Sequence, residues 1–350
     1  MIKVLIVDDS PVVRTLLSHA LGSDPEISVI GTASDGLEAI EFVSRNKPDV
    51  ITMDINMPKM GGFEAIRKIM ETHPVPIVIV TASWDPKDVT KTWMAMEAGA
   101  VHAVEKPRYL GDIDHDDALR ELVQTVKLMS EVQVVRRWPP RVPAFTTPPA
   151  HGISKPVFSG IRMVAMGAST GGPPVIKEIL SSLPENFPTP ILLVQHMAPN
   201  FSRSFVYWLN QSTALGVSLA VHGEYPRPGK VYLAPDLVQM KINREGKIAL
   251  TQDAPENGLR PSVSYLFRSV AKIFGKNSIG VLLTGMGRDG ADELNLMKIR
   301  GAVTFAQDKE SSVVHGMPGE AIKLGAASHV LPPDKIAEML RMLLPGGSQK

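Results

Sequence analysis

Short apolar runs rich in β-branched residues alternate with amphipathic segments along this 350-residue chain, and this alternation constrains its fold more than any other feature. In the first third of the chain, five runs have the length of buried strands: 3–7, 29–33, 49–53, 76–80 and 101–104. Strands that alternate with helices build parallel sheets, because each return to the sheet needs a crossover connection. The pattern therefore predicts a doubly wound parallel sheet in an α/β domain.

A proline-dense stretch separates this first domain from the rest of the chain. A last amphipathic segment near 116–135 is followed by RRWPPRVPAFTTPPAHGISKP, which has no hydrophobic periodicity. Proline restricts the backbone, so such a stretch is typical of a fairly stiff linker. We therefore predict a first domain over 1–130, a linker over 131–158 and a second domain over 159–346.

The second domain shows the same alternation of strand-like and helix-like segments. Eight apolar runs have strand length: 161–166, 190–195, 218–222, 230–234, 248–252, 278–283, 302–307 and 328–331. Helical stretches fall between several of them, at 173–182, 201–211, 262–274 and 289–299. The predicted fold is a second doubly wound parallel α/β domain, with an antiparallel hairpin within KVYLAPDLVQMKI and KIALTQ.

Composition excludes several classes of function. The formal net charge of +1 supplies no strong field, so we expect no nucleic-acid partner and no direct membrane insertion. The absence of cysteine rules out a disulfide framework, a thiolate metal site and a cysteine nucleophile, and fits a reducing compartment. Two acids directly follow the first apolar run, and no run approaches the roughly 20 residues that span a bilayer. We therefore expect a soluble, cytoplasmic protein.

Polar side chains follow four of the predicted strands of the first domain. They are Asp8 and Asp9, Asp54, Thr81, and Lys106. Carboxyl ends of parallel strands share one sheet edge, so these groups are expected to converge on one site. Clustered carboxylates suit Mg²⁺, and a carboxylate beside Mg²⁺ can act as a nucleophile toward phosphorus. The alternative, in which each acid caps the helix after its strand, does not explain the lysine.

The motifs VDDS, MDINMPKMGG, TAS and EKP stand in the order and spacing of bacterial response-regulator receiver domains, which the first 125 residues or so resemble. The resemblance implies a flavodoxin-like fold and phosphorylation by a histidine kinase with Mg²⁺ as cofactor. It implies these site residues: Asp54 as phosphoacceptor, Asp8, Asp9, Asp54 and the Asn56 backbone carbonyl as metal ligands, and Thr81 and Lys106 as phosphoryl sensors. Receivers usually carry an aromatic residue where this chain has Ala103.

In the second domain, the stretch VAMGASTGGPP begins with an apolar run, which is followed by glycines on both sides of Ser169. Its G-x-S-x-G spacing is typical of a strand-to-helix turn that exposes a serine hydroxyl. A plain glycine turn remains the alternative for the motif taken alone. A nucleotide-binding loop is disfavoured, because neither G-x-G-x-x-G nor GK[ST] spacing is present.

A serine nucleophile needs a base and a carboxylate that orients the base. Among the histidines after Ser169, His196 leads by its position at the end of ILLVQH, ahead of His222, His315 and His329. Asp289 stands in the turn of LLTGMGRDGADE, whereas Asp292 and Glu293 fall within the following helix and are expected to be solvated. The backbone amides near Gly171 and Gly172, or at Met286 and Gly287, are candidate donors to an oxyanion.

The motifs GASTGGP, LVQHM, RPSV, LLTGMGRDGA and VVHGMPGEA resemble the catalytic domain of the bacterial chemotaxis protein-glutamate methylesterases, the CheB family, whose architecture places a receiver first. The resemblance implies a Ser169, His196 and Asp289 triad with Met286 as a backbone oxyanion donor. It implies hydrolysis of glutamate γ-methyl esters on chemoreceptor cytoplasmic helices without a cofactor, and deamidation of receptor glutamines. It also implies that the unphosphorylated receiver restrains the esterase.

Two departures from the CheB pattern fall in the second domain. Ser264 stands where the family tends to have an acid, and Gln239 stands where it usually has histidine. An alternative function stays open, in which the chain is a catalytically weak, phosphorylation-controlled binding module of another chemosensory pathway. A receiver-linked transcription factor would need a helical output domain with a basic recognition helix, and the strand-rich second half argues against one.

Overall fold

The computed structural model describes residues 1–81, 86–107, 115–132, 134 and 160–343. The described residues up to 134 form one compact unit, and those from 160 onward form a second. The predicted linker, 131–158, lies almost wholly outside the described residues, so the domain boundaries stay predictions.

The first unit is a five-stranded sheet in which every neighbouring pair is parallel, in the order β2-β1-β3-β4-β5. Its strands are β1 (Ile2–Val7), β2 (Ile27–Ala33), β3 (Val50–Met53), β4 (Ile77–Thr81) and β5 (His102–Glu105). Its helices are α1 (Pro11–Gly22), α2 (Gly36–Arg45), α3 (Gly62–Thr72), α4 (Pro86–Ala98) and α5 (His115–Ser130). The five strands match the five predicted runs, and the parallel order brings the ends of β1, β3, β4 and β5 to one edge.

The second unit contains a seven-stranded sheet, in which every neighbouring pair is also parallel, in the order β14-β13-β12-β6-β7-β9-β8. Its strands are β6 (Met163–Ala168), β7 (Ile191–Gln195), β8 (Gly216–Leu219), β9 (Lys230–Leu233), β12 (Ser278–Leu282), β13 (Val303–Gln307) and β14 (His329–Leu331). The order reverses at β6, which lies between β7 and β12. In open α/β sheets the crevice beyond such a reversal is where ligands bind.

Six helices and a short 3₁₀ turn accompany this sheet. They are α6 (Gly172–Ser181), α7 (Ser202–Asn210), α8 (Val263–Ile273), the 3₁₀ turn Gly275–Asn277, α9 (Ala291–Ile299), α10 (Met317–Lys323) and α11 (Pro333–Arg341). Helix α8 begins at Ser262, whose hydroxyl accepts a hydrogen bond from the Tyr265 amide. Its apolar stripe, including Phe267 and Val270, is buried in the same core as β6. The start of α8 is thereby fixed against the central strands.

The antiparallel hairpin is present but is shorter than predicted. It is formed by β10 (Gln239–Ile242) and β11 (Ile248–Thr251) alone. The run at 230–234 was predicted to belong to the hairpin. It forms β9 instead and pairs in parallel with β7 and β8. Burial explains the difference, because Val231, Tyr232 and Leu233 are at most 2% exposed when β9 lies inside the parallel sheet. Among the described helices, none combines the length and apolarity that crossing a membrane requires.

Candidate active site

Ser169 occupies a sharp turn between β6 and α6. Its amide donates to the Thr284 carbonyl (3.0 Å), and its own carbonyl accepts from the Gly172 amide (2.8 Å). Gly171 has φ of 76°, a left-handed conformation that an L side chain rarely adopts. The side chain of Ser169 is half-buried at the end of a fully buried strand. The local geometry is therefore the strand-to-helix turn that the G-x-S-x-G spacing predicts.

His196 lies at the neighbouring strand end. Ala168 of β6 pairs with Gln195 of β7, and the His196 amide donates to the Ala168 carbonyl (3.0 Å), so His196 stands beside Ser169 at the sheet edge. The His196 ring is 11% exposed, and its Nε2 lies 2.9 Å from Asp289 Oδ2. Nδ1 is the nitrogen left for the serine. Among the hydrogen bonds of the described residues, none joins the Ser169 hydroxyl to the ring.

Asp289 lies between β12 and α9, where it is buried against the first turn of α8 and accepts several hydrogen bonds. Its Oδ2 accepts from the Val263 amide (2.6 Å), and its Oδ1 accepts from the Ser262 hydroxyl (2.8 Å) and the Ser264 amide (3.0 Å). Burial alone would raise the pKa of Asp289, but His196 and Ser264 lower it to about 2. The carboxylate therefore stays ionised and can fix the orientation of the His196 ring.

The other candidates lie away from this arrangement or are otherwise engaged. The His222 ring bonds to the backbone of Leu250 in β11, and His329 stacks on Phe305. His315 lies nearer, because its backbone pairs with Gly285, which packs against Ser169, but its Nδ1 is 3.4 Å from the Ser312 hydroxyl. Burial lowers the pKa of the half-buried His315. Asp292 is 55% exposed, as expected. Glu293 is not solvated as predicted, because its side chain is only 14% exposed and pairs with Arg268.

The candidate oxyanion donors lie in two segments, the turn after Ser169 and the turn at Met286. Gly172 cannot serve as an oxyanion donor in this arrangement, because its amide is bound to the Ser169 carbonyl. Within the described part of the chain, the amides of Gly171 and Met286 donate no hydrogen bond, and neither does the amide of Thr170. Sequence reasoning did not single out Thr170, although the residue after a nucleophilic serine is a common oxyanion donor.

In the first unit, Asp8, Asp9 and Asp54 come together at the sheet edge. One carboxylate oxygen of each lies within 4.8 Å of the others. Lys106 joins them, with Nζ 2.8 Å from Asp8 Oδ2 and 2.9 Å from Asp54 Oδ2. Three carboxylates at this spacing offer the oxygen ligands that Mg²⁺ prefers, so the donor set fits the metal.

The capping alternative does not hold for the acids after β1 and β3. Ser10 is the N-cap residue of α1 and Gly61 that of α3, so neither Asp8 nor Asp54 caps the following helix. Burial raises the pKa of Asp54 above its ordinary value, because Lys106 and the Ile55 amide offset only part of the loss of solvent. Burial opposes the charge of Lys106, but its two carboxylate partners raise its pKa overall.

The remaining receiver residues lie at the same edge. Thr81 ends β4, is 3% exposed, and accepts the Lys106 amide on its carbonyl at 2.8 Å. The Asn56 side chain accepts from Lys91 of α4 (2.9 Å), and its backbone carbonyl accepts no hydrogen bond from a described residue. Ala103 is half-buried on β5 opposite Ile79.

Comparisons with known proteins identify both units. The CheB methylesterase profile matches residues 164–340, and the response regulator receiver domain profile matches residues 4–119. The chain belongs to the CheB methylesterase family. A protein-glutamate methylesterase/protein-glutamine glutaminase of Nitrosospira multiformis is 56% identical over 98% of this chain and 97% of its own. One of the same name from Syntrophus aciditrophicus is 57% identical over 97% of each.

A solved structure supports the fold of the second unit. The CheB methylesterase catalytic domain of Thermotoga maritima is 39% identical and has a TM-score of 0.51, and the match covers 53% of this chain and 99% of that one. The predicted fold class, a receiver and a CheB-type catalytic domain that are both parallel α/β units, is confirmed.

The two departures from the CheB pattern have structural roles near Asp289. Gln239 is fully buried, and its side chain bonds to the Ala254 and Leu259 carbonyls and to the Ser262 amide. The Ser264 hydroxyl accepts from the Gly290 amide (2.8 Å), and so holds the turn directly after Asp289. Both residues stabilise the backbone around Asp289, and Gln239 has no exposed surface with which to touch a substrate.

Proposed function

We propose that this chain hydrolyses glutamate γ-methyl esters on chemoreceptor cytoplasmic helices. Its relatives carry the name protein-glutamate methylesterase/protein-glutamine glutaminase. The proposal rests above all on the His196–Asp289 contact of 2.9 Å beside the strand end that carries Ser169. In this reaction the Ser169 oxygen bonds to the ester carbonyl carbon while His196 Nδ1 takes the hydroxyl proton. The C–O bond to the methoxy group then breaks, and methanol leaves with that proton.

Water completes the cycle by the same groups. His196 deprotonates a water molecule that attacks the acyl-enzyme, and the released Ser169 oxygen recovers the proton. Asp289 holds the ring tautomer and stabilises its charged form, and the Met286 amide, with that of Thr170 or Gly171, donates to the oxyanion. The step needs no cofactor. Glutamine deamidation follows the same course, with ammonia in place of methanol.

The receiver is proposed to regulate this activity. Receivers as a class undergo Mg²⁺-dependent phosphorylation, and a histidine kinase is the proposed phosphodonor. Asp54 would accept the phosphoryl group, and Asp8, Asp9, Asp54 and the Asn56 carbonyl would hold Mg²⁺, which when bound offsets the negative charge of carboxylates and phosphate. Lys106 and Thr81 would then contact the phosphoryl oxygens.

Methanol release from methylated receptor membranes is the test of the proposed catalysis. The Ser169→Ala variant is expected to lose at least 10³-fold in turnover, because the nucleophile is gone. Ser181→Ala is the matched control, since Ser181 is the exposed last residue of α6 and its hydroxyl donates to the Glu178 carbonyl. A Ser169→Ala protein with ordinary turnover would refute the triad. A wild-type chain that binds receptors without releasing methanol would favour the binding-module alternative.

A further inference from the structure

Gln195 joins the two strand ends that carry the proposed nucleophile and base. It is the last residue of β7 and is 4% exposed. Its Nε2 donates to the Ser169 carbonyl (2.9 Å) and to the His196 carbonyl (2.7 Å). A side-chain amide nitrogen carries two hydrogens, so both donors are used, one on each residue.

The amide orientation is fixed by these partners. Carbonyl oxygens only accept hydrogen bonds, so the opposite orientation would press Oε1 against two acceptors. Oε1 instead lies against Gly172, where a Cβ would come within 2.1 Å of it, and no described residue donates a hydrogen bond to it. A buried acceptor without a donor is destabilising, because it loses its hydrogen bonds to water. Packing alone does not favour a glutamine here, and the two donated bonds are what the residue contributes.

The position of these bonds matters because the sheet ends there. The bond from the His196 amide to the Ala168 carbonyl is the last backbone link between β6 and β7 at this edge. Beyond it β6 turns into α6. Ser169 is also held by Thr284 and Gly172, but within the described chain the His196 carbonyl accepts only from Gln195. Gln195 thus adds one side-chain link beyond the ladder.

We propose that Gln195 is a positioning residue that sets the spacing between Ser169 and His196 for ester hydrolysis. The inference rests on the proposed function, since it assigns a role within the same site. Gln195 reaches the backbones of the two residues rather than their reacting atoms, so its loss should change alignment and leave substrate binding intact. A displacement of about 1 Å between reacting groups can cost on the order of 10²-fold in rate.

The test compares Gln195→Met, which keeps the side-chain length and removes both donors, with Gln195→Glu, which also places a charge against two carbonyls. Thr304→Val is the control, because Thr304 is fully buried in β13 and bonds to the Ala326 carbonyl and to Ser328, toward the opposite end of the sheet. All variants are measured as full chains for methanol release and for the labelling rate of Ser169 by a fluorophosphonate, normalised to the folded fraction.

We expect Gln195→Met to lower kcat by about 10- to 100-fold with KM within about twofold, and Gln195→Glu to lower it further. The labelling rate should fall in parallel, whereas Thr304→Val should lower stability and keep the kcat of its folded fraction. A Gln195→Met protein with unchanged kcat, or with only KM raised, overturns the proposal. If the wild-type chain releases no methanol, the proposed function fails instead, and equal labelling rates of wild type and Gln195→Met would still refute positioning.

Discussion

Each domain has a buried carboxylate at its sheet edge, but the pKa shifts of the two carboxylates have opposite directions. Asp54 follows β3 of the receiver and is 5% exposed, and Asp289 lies between β12 and α9 and is 3% exposed. Among the described residues, Asp54 accepts one backbone hydrogen bond, from Ile55, and pairs with Lys106. Asp289 accepts from two amides, a hydroxyl and an imidazole. Burial raises the pKa of Asp54, whereas the donors around Asp289 overcome burial and lower its pKa to about 2.

The difference indicates that topology brings the groups together and local donors decide what each carboxylate does. The amides at the start of α8 saturate Asp289, so it keeps its charge and position but has little capacity to react. Among the described residues, only the Ile55 amide and Lys106 donate to Asp54, which leaves oxygen lone pairs for attack on phosphorus. The carboxyl edges of the two sheets therefore carry carboxylates that suit the two proposed roles, an orienting acid at Asp289 and a phosphoacceptor at Asp54.

The largest expected effect comes from removing the charge of Asp289. Asp289→Asn should lower the rate of methanol release on the order of 10³–10⁴-fold, because an amide no longer fixes the His196 tautomer and presents hydrogens to the donors of α8. Asp292→Asn, which changes an exposed acid in the first turn of α9, is the control and should change the rate little. A loss below tenfold for Asp289→Asn would mean that His196 does not depend on this carboxylate.

The convergence of Ser169, His196 and Asp289 at one edge was predictable from sequence, because each follows a buried run and parallel strands end together. The donors that saturate Asp289 were not. Ser262 precedes it by 27 residues, and only the packing of α8 against the central strands brings them into contact. Gln195 was missed because it was read as part of a strand, although a lone polar residue closing the buried run ILLVQ was a signal.

The boundary of the hairpin was wrong for a related reason. Strand periodicity predicted that 230–234 is extended, but it could not say which neighbour would pair with it. Burial of Val231 and Leu233 between β7 and β8 decides the partner, and that burial depends on residues far away in sequence. The local sequence thus predicts that a segment is extended, whereas tertiary packing determines which strands pair with it.

A second, smaller effect is expected on the free energy of unfolding at acidic pH. The folded pKa of Asp289 lies near 2, below its value of 3.8 in an unfolded chain, so its charged form stabilises the fold. That contribution is fully present above about pH 4 and is lost as pH falls toward 2. The shift corresponds to about 2 kcal/mol of unfolding free energy. Urea unfolding of the catalytic domain within the full chain should show it between pH 4 and 2, and Asp289→Asn should lack it. Equal slopes for the two proteins in that window would contradict the assignment.

The smallest effect is expected at Asp54, with the opposite sign. Its folded pKa is raised by burial, so the charged form is penalised in the native state, and the penalty grows as pH rises from about 4 through the folded pKa. Without Mg²⁺, Asp54→Asn should therefore raise the melting temperature of the receiver at neutral pH, with a difference that vanishes in acid.

The stabilisation at Asp54 should be modest because Lys106 already offsets part of the cost of burial. Asp9→Asn serves as the control, since Asp9 is exposed and lies in the same cluster. Calorimetry of the full chain in EDTA measures the receiver transition of all three proteins. If Asp54→Asn melts below the wild type at neutral pH, then the attraction of Lys106 outweighs the cost of burial. In that case the charged forms of Asp54 and Asp289 both stabilise their domains.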